Sequence, residues 1–117
     1  MGRSVLIVDD HPSFRASARL LLECEGYRVV GEAEDGLSAL REIERLAPEL
    51  VLLDVQLPDI DGFEVAARLV AGNGTAPAIV LTSSRDVEDL GPLAEDEAVR
   101  GFIPKSDLSG AALEALL

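Results

Sequence analysis

The chain has 117 residues, of which 48% are hydrophobic, and a formal net charge of −12 at pH 7. This length is typical of one globular domain with its own core, here residues 1–117, either standing alone or cut from a longer chain. The acidic balance argues against binding of nucleic acid or an anionic membrane through a basic patch, and no apolar run is long enough for a membrane span. The N-terminus lacks a signal-peptide pattern and the single cysteine, Cys24, excludes an internal disulfide, so we expect a cytoplasmic protein.

Five short apolar runs predict strands. They are Ser4–Val8, Arg28–Ala33, Leu50–Asp54, Ala78–Leu81 and Gly101–Ile103. The run that ends at Asp54 has no polar alternation, which indicates a strand covered on both faces in the middle of a parallel sheet.

A helical pattern follows each strand. Pro12 suits the first turn of the first helix, which Gly26 ends, and Asp35 is predicted to cap the second helix. The fourth helix begins near Asp86 and contains Gly91-Pro92, so we expect it to be split, shortened or begun late. The predicted apolar faces contain Phe14, Ala18, Leu21 and Leu22 in the first helix, Leu37, Leu40 and Ile43 in the second, Phe63, Ala66, Ala67 and Val70 in the third, and Leu108, Ala112 and Ala115 in the last. We expect Cys24 to lie in the core or to be partly buried.

Five strand–helix repeats predict an α/β fold. Right-handed crossovers would place all five strands in one parallel sheet with helices on both faces. The predicted architecture is therefore a doubly wound (βα)5 sheet of the flavodoxin-like type.

Polar residues end four of the five predicted strands: Asp9 and Asp10, Asp54, Thr82, and Lys105. A parallel sheet brings these ends to one edge, where three carboxylates repel each other unless a cation lies between them. Oxygen ligands favour Mg²⁺ over zinc. Lys105 is the only lysine of the chain, and an ammonium and a hydroxyl beside a cation are what a transferred phosphoryl group requires.

Taken together, these motifs resemble the response-regulator receiver domain of bacterial two-component signalling, over essentially the whole chain. The matching residues are Asp9-Asp10, Asp54 with the following Leu57–Gly62, Thr82 with the small Ser83, and Phe102 three residues before Lys105. The resemblance implies that Asp54 accepts a phosphoryl group from a phosphohistidine of a sensor histidine kinase, as a signalling switch rather than a turnover enzyme. It implies that Asp10, Asp54 and the Gln56 backbone carbonyl ligate Mg²⁺, with Asp9 acting through water, and that Lys105 and Thr82 hold the phosphoryl oxygens.

The same resemblance implies how the signal leaves the domain. Phosphorylation would draw Thr82 inward and let Phe102 rotate toward the core, which changes the face formed by the fourth helix, the fifth strand and the fifth helix. The implied partners are the kinase, docked at exposed contacts around Phe14 and Arg15, and a second copy of the chain in a phosphorylation-dependent dimer. The Gly101–Ser106 pattern resembles receivers fused to helix-turn-helix domains, so transcription regulation through a DNA-binding domain beyond Leu117 is expected, without nucleic-acid contact by this domain itself.

Three other functions stay open from the residues alone. They are a receiver-like module that acts only through contacts, a flavin-binding domain on the same fold, and a hydrolase with Asp54 as nucleophile. Gln56 and Ser84 flank the site at positions that tune dephosphorylation in the family. His11 is interpreted as a helix-start residue rather than a phosphohistidine, and Asp59 and Asp61 as turn residues.

Overall fold

The computed structural model describes residues 2–72, 76–84 and 97–117. The strands are β1 (Ser4–Val8), β2 (Arg28–Ala33), β3 (Leu50–Asp54), β4 (Ala78–Ser83) and β5 (Val99–Pro104). The helices are α1 (Pro12–Cys24), α2 (Gly36–Leu46), α3 (Gly62–Ala71) and α4 (Gly110–Leu116), and a 3-10 turn over Lys105–Asp107 precedes α4. The fourth predicted helix, with Gly91-Pro92, lies outside the described residues.

All five strands are parallel and form one sheet in the order β2-β1-β3-β4-β5. This is the flavodoxin-like order, in which the chain reverses direction across the sheet after β1 and β2. The predicted doubly wound fold is therefore confirmed. β3 lies at the centre, and its last residue, Asp54, is directly opposite Thr82 of β4.

The core lies in two apolar layers, one on each face of the sheet. Alternate residues of β3 supply both layers: Val51 and Leu53 pack with α2 and α3, whereas Leu50 and Leu52 pack with α1 and α4. All five residues of β3 are buried, as its unbroken apolar run predicted. Among the described residues, no helix combines the length and the apolar character that crossing a bilayer requires.

The helix ends largely follow the predicted signals. Pro12 is the first residue of α1, and Gly26 follows that helix with a φ of 92°, a left-handed conformation that favours glycine. The Asp35 carboxylate accepts a hydrogen bond from the Ser38 backbone N–H at 2.8 Å, which confirms the cap of α2.

The predicted burial of two helix residues, Leu37 and Cys24, is wrong. Leu37 is 47% exposed, because α2 turns Ala39 and Ile43 inward and Leu37 lies about 120° around the helix from Ile43. Cys24 is exposed, because it follows the inward Leu22 by two residues.

The last helix also differs from its prediction. It begins only at Gly110, so Leu108 precedes it, and Leu113 is its fully buried side chain. Ala115 is exposed, because it stands two residues beyond Leu113 and therefore faces away from the sheet.

β5 is longer than predicted and carries an irregularity. Ile79 of β4 pairs with Val99, but the next residue, Val80, pairs with Gly101, so Arg100 is an extra residue in β5. Gly101 has a φ of 154°, a value at the limit of the left-handed region that favours glycine. The extra residue brings Val99 and Phe102 to the same face of the sheet, against α2 and α3.

Candidate functional site

The carboxyl ends of four adjacent strands bring the predicted polar residues together. Asp9 and Asp10 follow β1, Asp54 and Thr82 lie at the ends of β3 and β4, and Lys105 follows β5. Asp9, Asp54 and Thr82 are each no more than 1% exposed. Burying two carboxylates side by side is costly without positive charge nearby, so the sheet edge requires a counter-ion.

Lys105 supplies that charge within the protein. Its ammonium lies 2.5 Å from Asp9 Oδ2 and 3.3 Å from Asp54 Oδ2, and its side chain is only 14% exposed. One point charge therefore bridges the two buried carboxylates.

The Asp54 carboxylate is held in a defined orientation. Its Oδ1 accepts a hydrogen bond from the Gln56 backbone N–H at 3.1 Å, and its Oδ2 faces Lys105. Burial, together with the neighbouring negative charge of Asp9, raises the pKa of Asp54, and the Gln56 and Lys105 contacts offset this only in part.

Four side chains could ligate a cation here. Asp9, Asp10, His11 and Asp54 each offer one ligand atom, and these atoms lie within 4.8 Å of one another. Three carboxylates suit a hard divalent cation. The place of His11 in this group was not predicted: its Nδ1 lies 2.9 Å from Asp9 Oδ1 and 3.0 Å from Asp10 Oδ1. The position of His11 directly after Asp9 and Asp10 in the sequence could have indicated that it lies beside them.

Thr82 presents an unused hydroxyl. Its Oγ1 is buried and makes no hydrogen bond within the described part of the chain, although such groups are normally satisfied. Because Thr82 is directly opposite Asp54, this donor stands at the edge where the acidic group gathers.

The loop between β3 and α3 is fixed at both ends. Asp61 caps α3 by accepting from the Glu64 N–H at 2.8 Å. Asp59 accepts from the backbone N–H groups of Gly36 and Leu37, at 2.8 and 2.9 Å, and so ties the loop to the start of α2. Partial desolvation of Asp59 raises its pKa, but these N–H groups lower the pKa overall.

Gly62 has no room for a side chain. A Cβ at this position would overlap the Asp54 carbonyl oxygen and Val55 Cα. The φ of Gly62 does not require glycine, but the close approach of the Asp54 main chain does.

Phe14 and Arg15 were predicted to be exposed, and this is wrong because both are half-buried and engaged within the chain. Kinase docking around these two residues stays a prediction. Arg15 donates to the Asp9 carbonyl at 2.6 Å and pairs with Glu32 of β2 at 3.0 Å. The Phe14 ring centroid lies 4.6 Å from Lys105 Nζ. The sequence did not indicate these contacts, because each joins residues on different helices, strands or turns.

Phe102, the other predicted switch residue, lies in β5 opposite Leu81. Its side chain is half-buried and packs against the α2/α3 layer of the core. The partner of Thr82 in the register is the next residue, Ile103, so Thr82 and Phe102 lie on neighbouring strands one position apart.

The fold agrees with comparisons to known proteins. The sequence model of the response regulator receiver domain matches residues 5–115. The chain therefore belongs to the response regulator receiver domain family, as its motifs predicted.

Relatives with this domain include transcriptional regulators. The chain is 37% identical over 111 residues to the DNA-binding response regulator MtrA of Mycolicibacterium smegmatis, covering 90% of this chain and 47% of that protein. It is 37% identical over 103 residues to the transcriptional regulatory protein PdtaR of Mycobacterium tuberculosis, covering 88% and 49%. A solved two-component response regulator of the LuxR family from Aurantimonas sp. SI85-9A1 has a TM-score of 0.82 and 31% identity, covering 98% of this chain and 81% of that one. The chain thus spans about half the length of the curated relatives it matches.

Proposed function

We propose that this chain is a phosphorylation-dependent switch in which Asp54 accepts a phosphoryl group from a phosphohistidine of a sensor histidine kinase. One observation supports this above all: the buried Asp54 carboxylate lies 3.3 Å from the Lys105 ammonium and is paired in the sheet register with Thr82, whose buried hydroxyl has no hydrogen-bond partner in the described residues. Nucleophile, cation and donor are the parts that stabilise a transferring phosphoryl group.

The transfer requires no further acid or base on this chain. An Asp54 carboxylate oxygen attacks the phosphorus, and the new P–O bond forms as the P–N bond to the kinase imidazole breaks. The bonding electrons leave with the imidazole nitrogen. Lys105 exchanges its carboxylate contact for a phosphoryl oxygen, and Thr82 donates its unused hydroxyl to another. The product is an acyl phosphate on a protein that is altered by the step, so the domain acts as a switch and not as a turnover enzyme.

The donor set fits Mg²⁺. Asp10, Asp54 and the Gln56 backbone carbonyl would hold the ion directly and Asp9 through water. Ligand atoms of the three aspartates lie within 4.8 Å of one another. When bound, Mg²⁺ neutralises charge on the phosphoryl oxygens. Asp10 is the accessible member, with 36% of its side chain exposed, whereas Asp9 is buried.

We further propose that the output of the switch passes through Thr82 and Phe102. When Thr82 turns toward the phosphoryl group, the space it leaves lets Phe102 rotate inward. This rotation shifts an existing equilibrium between two conformations of the face formed by the fourth predicted helix, β5 and α4. We propose a phosphorylation-dependent dimer on this face. A DNA-binding domain beyond Leu117 agrees with the name of MtrA, of which this chain covers 47%. With a net charge of −12, this domain itself would not contact DNA.

Incubation with phosphoramidate or acetyl phosphate and Mg²⁺, followed by intact-mass measurement, tests the proposal. We expect one added phosphoryl group on the wild-type chain, none in the presence of EDTA, and none on an Asp54→Asn variant. No adduct on folded protein with Mg²⁺ present would favour the contact-only module. An adduct that persists in Asp54→Asn would place the acceptor elsewhere.

A further inference from the structure

Lys105 makes a third contact that the phosphotransfer chemistry does not account for. Besides its two carboxylate partners, its ammonium lies 4.6 Å from the centroid of the Phe14 ring. Phe14 is in the first turn of α1 and Lys105 follows β5, so the contact joins two elements that are distant in sequence. The distance is within the range in which an aromatic ring attracts a cation through its quadrupole.

Packing alone does not require an aromatic ring here. Phe14 is half-buried against the apolar layer formed with α1 and α4. A leucine at position 14 could occupy much of that contact, because it is apolar and favours helix. What leucine cannot supply is a negatively polarised ring face for the ammonium.

The carboxylate partners of Lys105 change during the proposed reaction, but the ring does not. Once Asp54 carries a phosphoryl group and Asp9 faces a cation, neither carboxylate offers Lys105 the contact seen here. The lysine stem is flexible and has several rotatable bonds. A neutral ring fixed on α1 keeps its attraction for the ammonium in both states.

We infer that Phe14 is a positioning residue for Lys105, whose ring holds the ammonium at the strand-end site while its anionic partners are exchanged. This inference rests on the proposed role of Lys105 in holding the phosphoryl group.

The contact can be tested without any phosphorylation. Lys105 is the only lysine, so protein labelled with ¹³C,¹⁵N-lysine gives one lysine side-chain spin system by NMR. Without Mg²⁺, we expect the Lys105 Hε signals to be shifted upfield by the ring, to lose this shift in Phe14→Leu and to retain it in Phe14→Tyr. Wild-type Hε shifts equal to those of the urea-unfolded protein, or shifts unaltered by Phe14→Leu, would overturn the inference.

A rate measurement tests whether the contact between Phe14 and Lys105 assists phosphorylation. With phosphoramidate and Mg²⁺, we expect Phe14→Leu to lower the phosphorylation rate about fivefold, as loss of one partly buried cation–π contact predicts, and Phe14→Tyr to restore it. Phe63→Leu is the matched control, because Phe63 is a half-buried α3 residue in the other core layer. An unchanged rate in Phe14→Leu, or equal slowing in Phe63→Leu, contradicts a positioning role.

The two measurements separate this inference from the proposed function. If the wild-type chain takes up no phosphoryl group at all, the switch proposal fails, and the NMR signals still decide whether Phe14 holds Lys105. Thermal melting of each variant, followed by circular dichroism, verifies that the rates are compared among folded proteins.

Discussion

The Arg15 side chain donates a hydrogen bond from Nη1 to the backbone carbonyl of Asp9 at 2.6 Å. The same guanidinium pairs through Nε with Glu32 of β2, which also pairs with Arg19 at 2.8 Å. A side chain of α1 thus fixes the main chain at the end of β1, next to the buried Asp9 carboxylate. This link between helix and acidic group gives Arg15 a role that its place on the outer face of α1 did not suggest.

We expect Arg15→Gln to lower both Mg²⁺ affinity and phosphorylation rate by about tenfold, the lower end of the effect of losing one charge-assisted hydrogen bond. Mg²⁺ titration followed by NMR and phosphoramidate labelling would measure both quantities. Arg19→Gln is the control, because it also removes an ion pair with Glu32 but has no contact with Asp9. Equal effects of the two substitutions would show that the ion pairs with Glu32, and not the Asp9 carbonyl, are responsible.

Substitution of Thr82 should slow phosphorylation without lowering the free energy of unfolding. Because its buried hydroxyl has no hydrogen bond in the described residues, Thr82→Val is expected to leave the free energy of unfolding unchanged or to raise it by up to about 1 kcal/mol. The same change should slow phosphorylation, and Thr82→Ser should preserve more of the rate. Urea unfolding and intact-mass kinetics check these results, and a marked loss of stability in Thr82→Val would show that the hydroxyl is bonded after all.

The tight contact at Gly62 gives a third prediction. Gly62→Ala should lower the free energy of unfolding by about 1–3 kcal/mol, because its Cβ would push against the main chain at Asp54 and Val55. Gly72→Ala is the matched control at the other end of α3, where a Cβ would meet, among the described residues, only ordinary contacts with the Arg68 and Leu69 carbonyls. Urea denaturation of both variants measures the difference, and equal stabilities would contradict the close approach.

Tyr27 provides a pH prediction away from the site. Burial, and then the hydrogen bond from its hydroxyl to Glu114 Oε1 at 2.7 Å, raise the pKa of Tyr27 to about 12. Tyr27 is the only tyrosine and the chain has no tryptophan, so tyrosinate absorbance titrates this group alone. We expect a midpoint near 12 for the folded protein and near 10 in urea.

The stability effect of Tyr27 follows from the sign of this shift. The unfolded chain releases the proton first, so the contribution of Tyr27 is complete below pH 10 or so and is lost as the pH rises toward 12, by about 2–3 kcal/mol in total. Tyr27→Phe should lack this decline. A folded-state midpoint near that of the unfolded chain would contradict the prediction.

Sequence reasoning succeeded where local chemistry determines structure. The apolar run before Asp54 identified a central buried strand, the side chain of Asp35 capped α2 as expected, and the polar strand ends gathered at one edge because parallel strands share direction. The chemical roles of Asp54, Thr82 and Lys105 stay predictions.

The wrong predictions concern which face of a helix turns inward and which distant residues a side chain contacts, because residue spacing determines neither. Leu37 was placed inward because it is apolar, but the cap at Asp35 sets where α2 begins and packing against the sheet selected Ala39 and Ile43. The partners of Phe14 and Arg15 lie directly after β5, on β2 and at the end of β1, and no local pattern in the sequence relates α1 to them.

The strand order also determines when the acidic edge is completed during synthesis. β2, β1 and β3 are neighbours in the sheet and come from the first 54 residues, whereas β4 and β5 add afterwards on one side. Since chains emerge from the ribosome N-terminus first, a three-stranded nascent sheet ending in Asp54 can assemble before Lys105 has been translated. The repulsion between Asp9 and Asp54 then persists until a cation binds or until Lys105 arrives with β5, so the residue that neutralises the site also favours closing of the sheet.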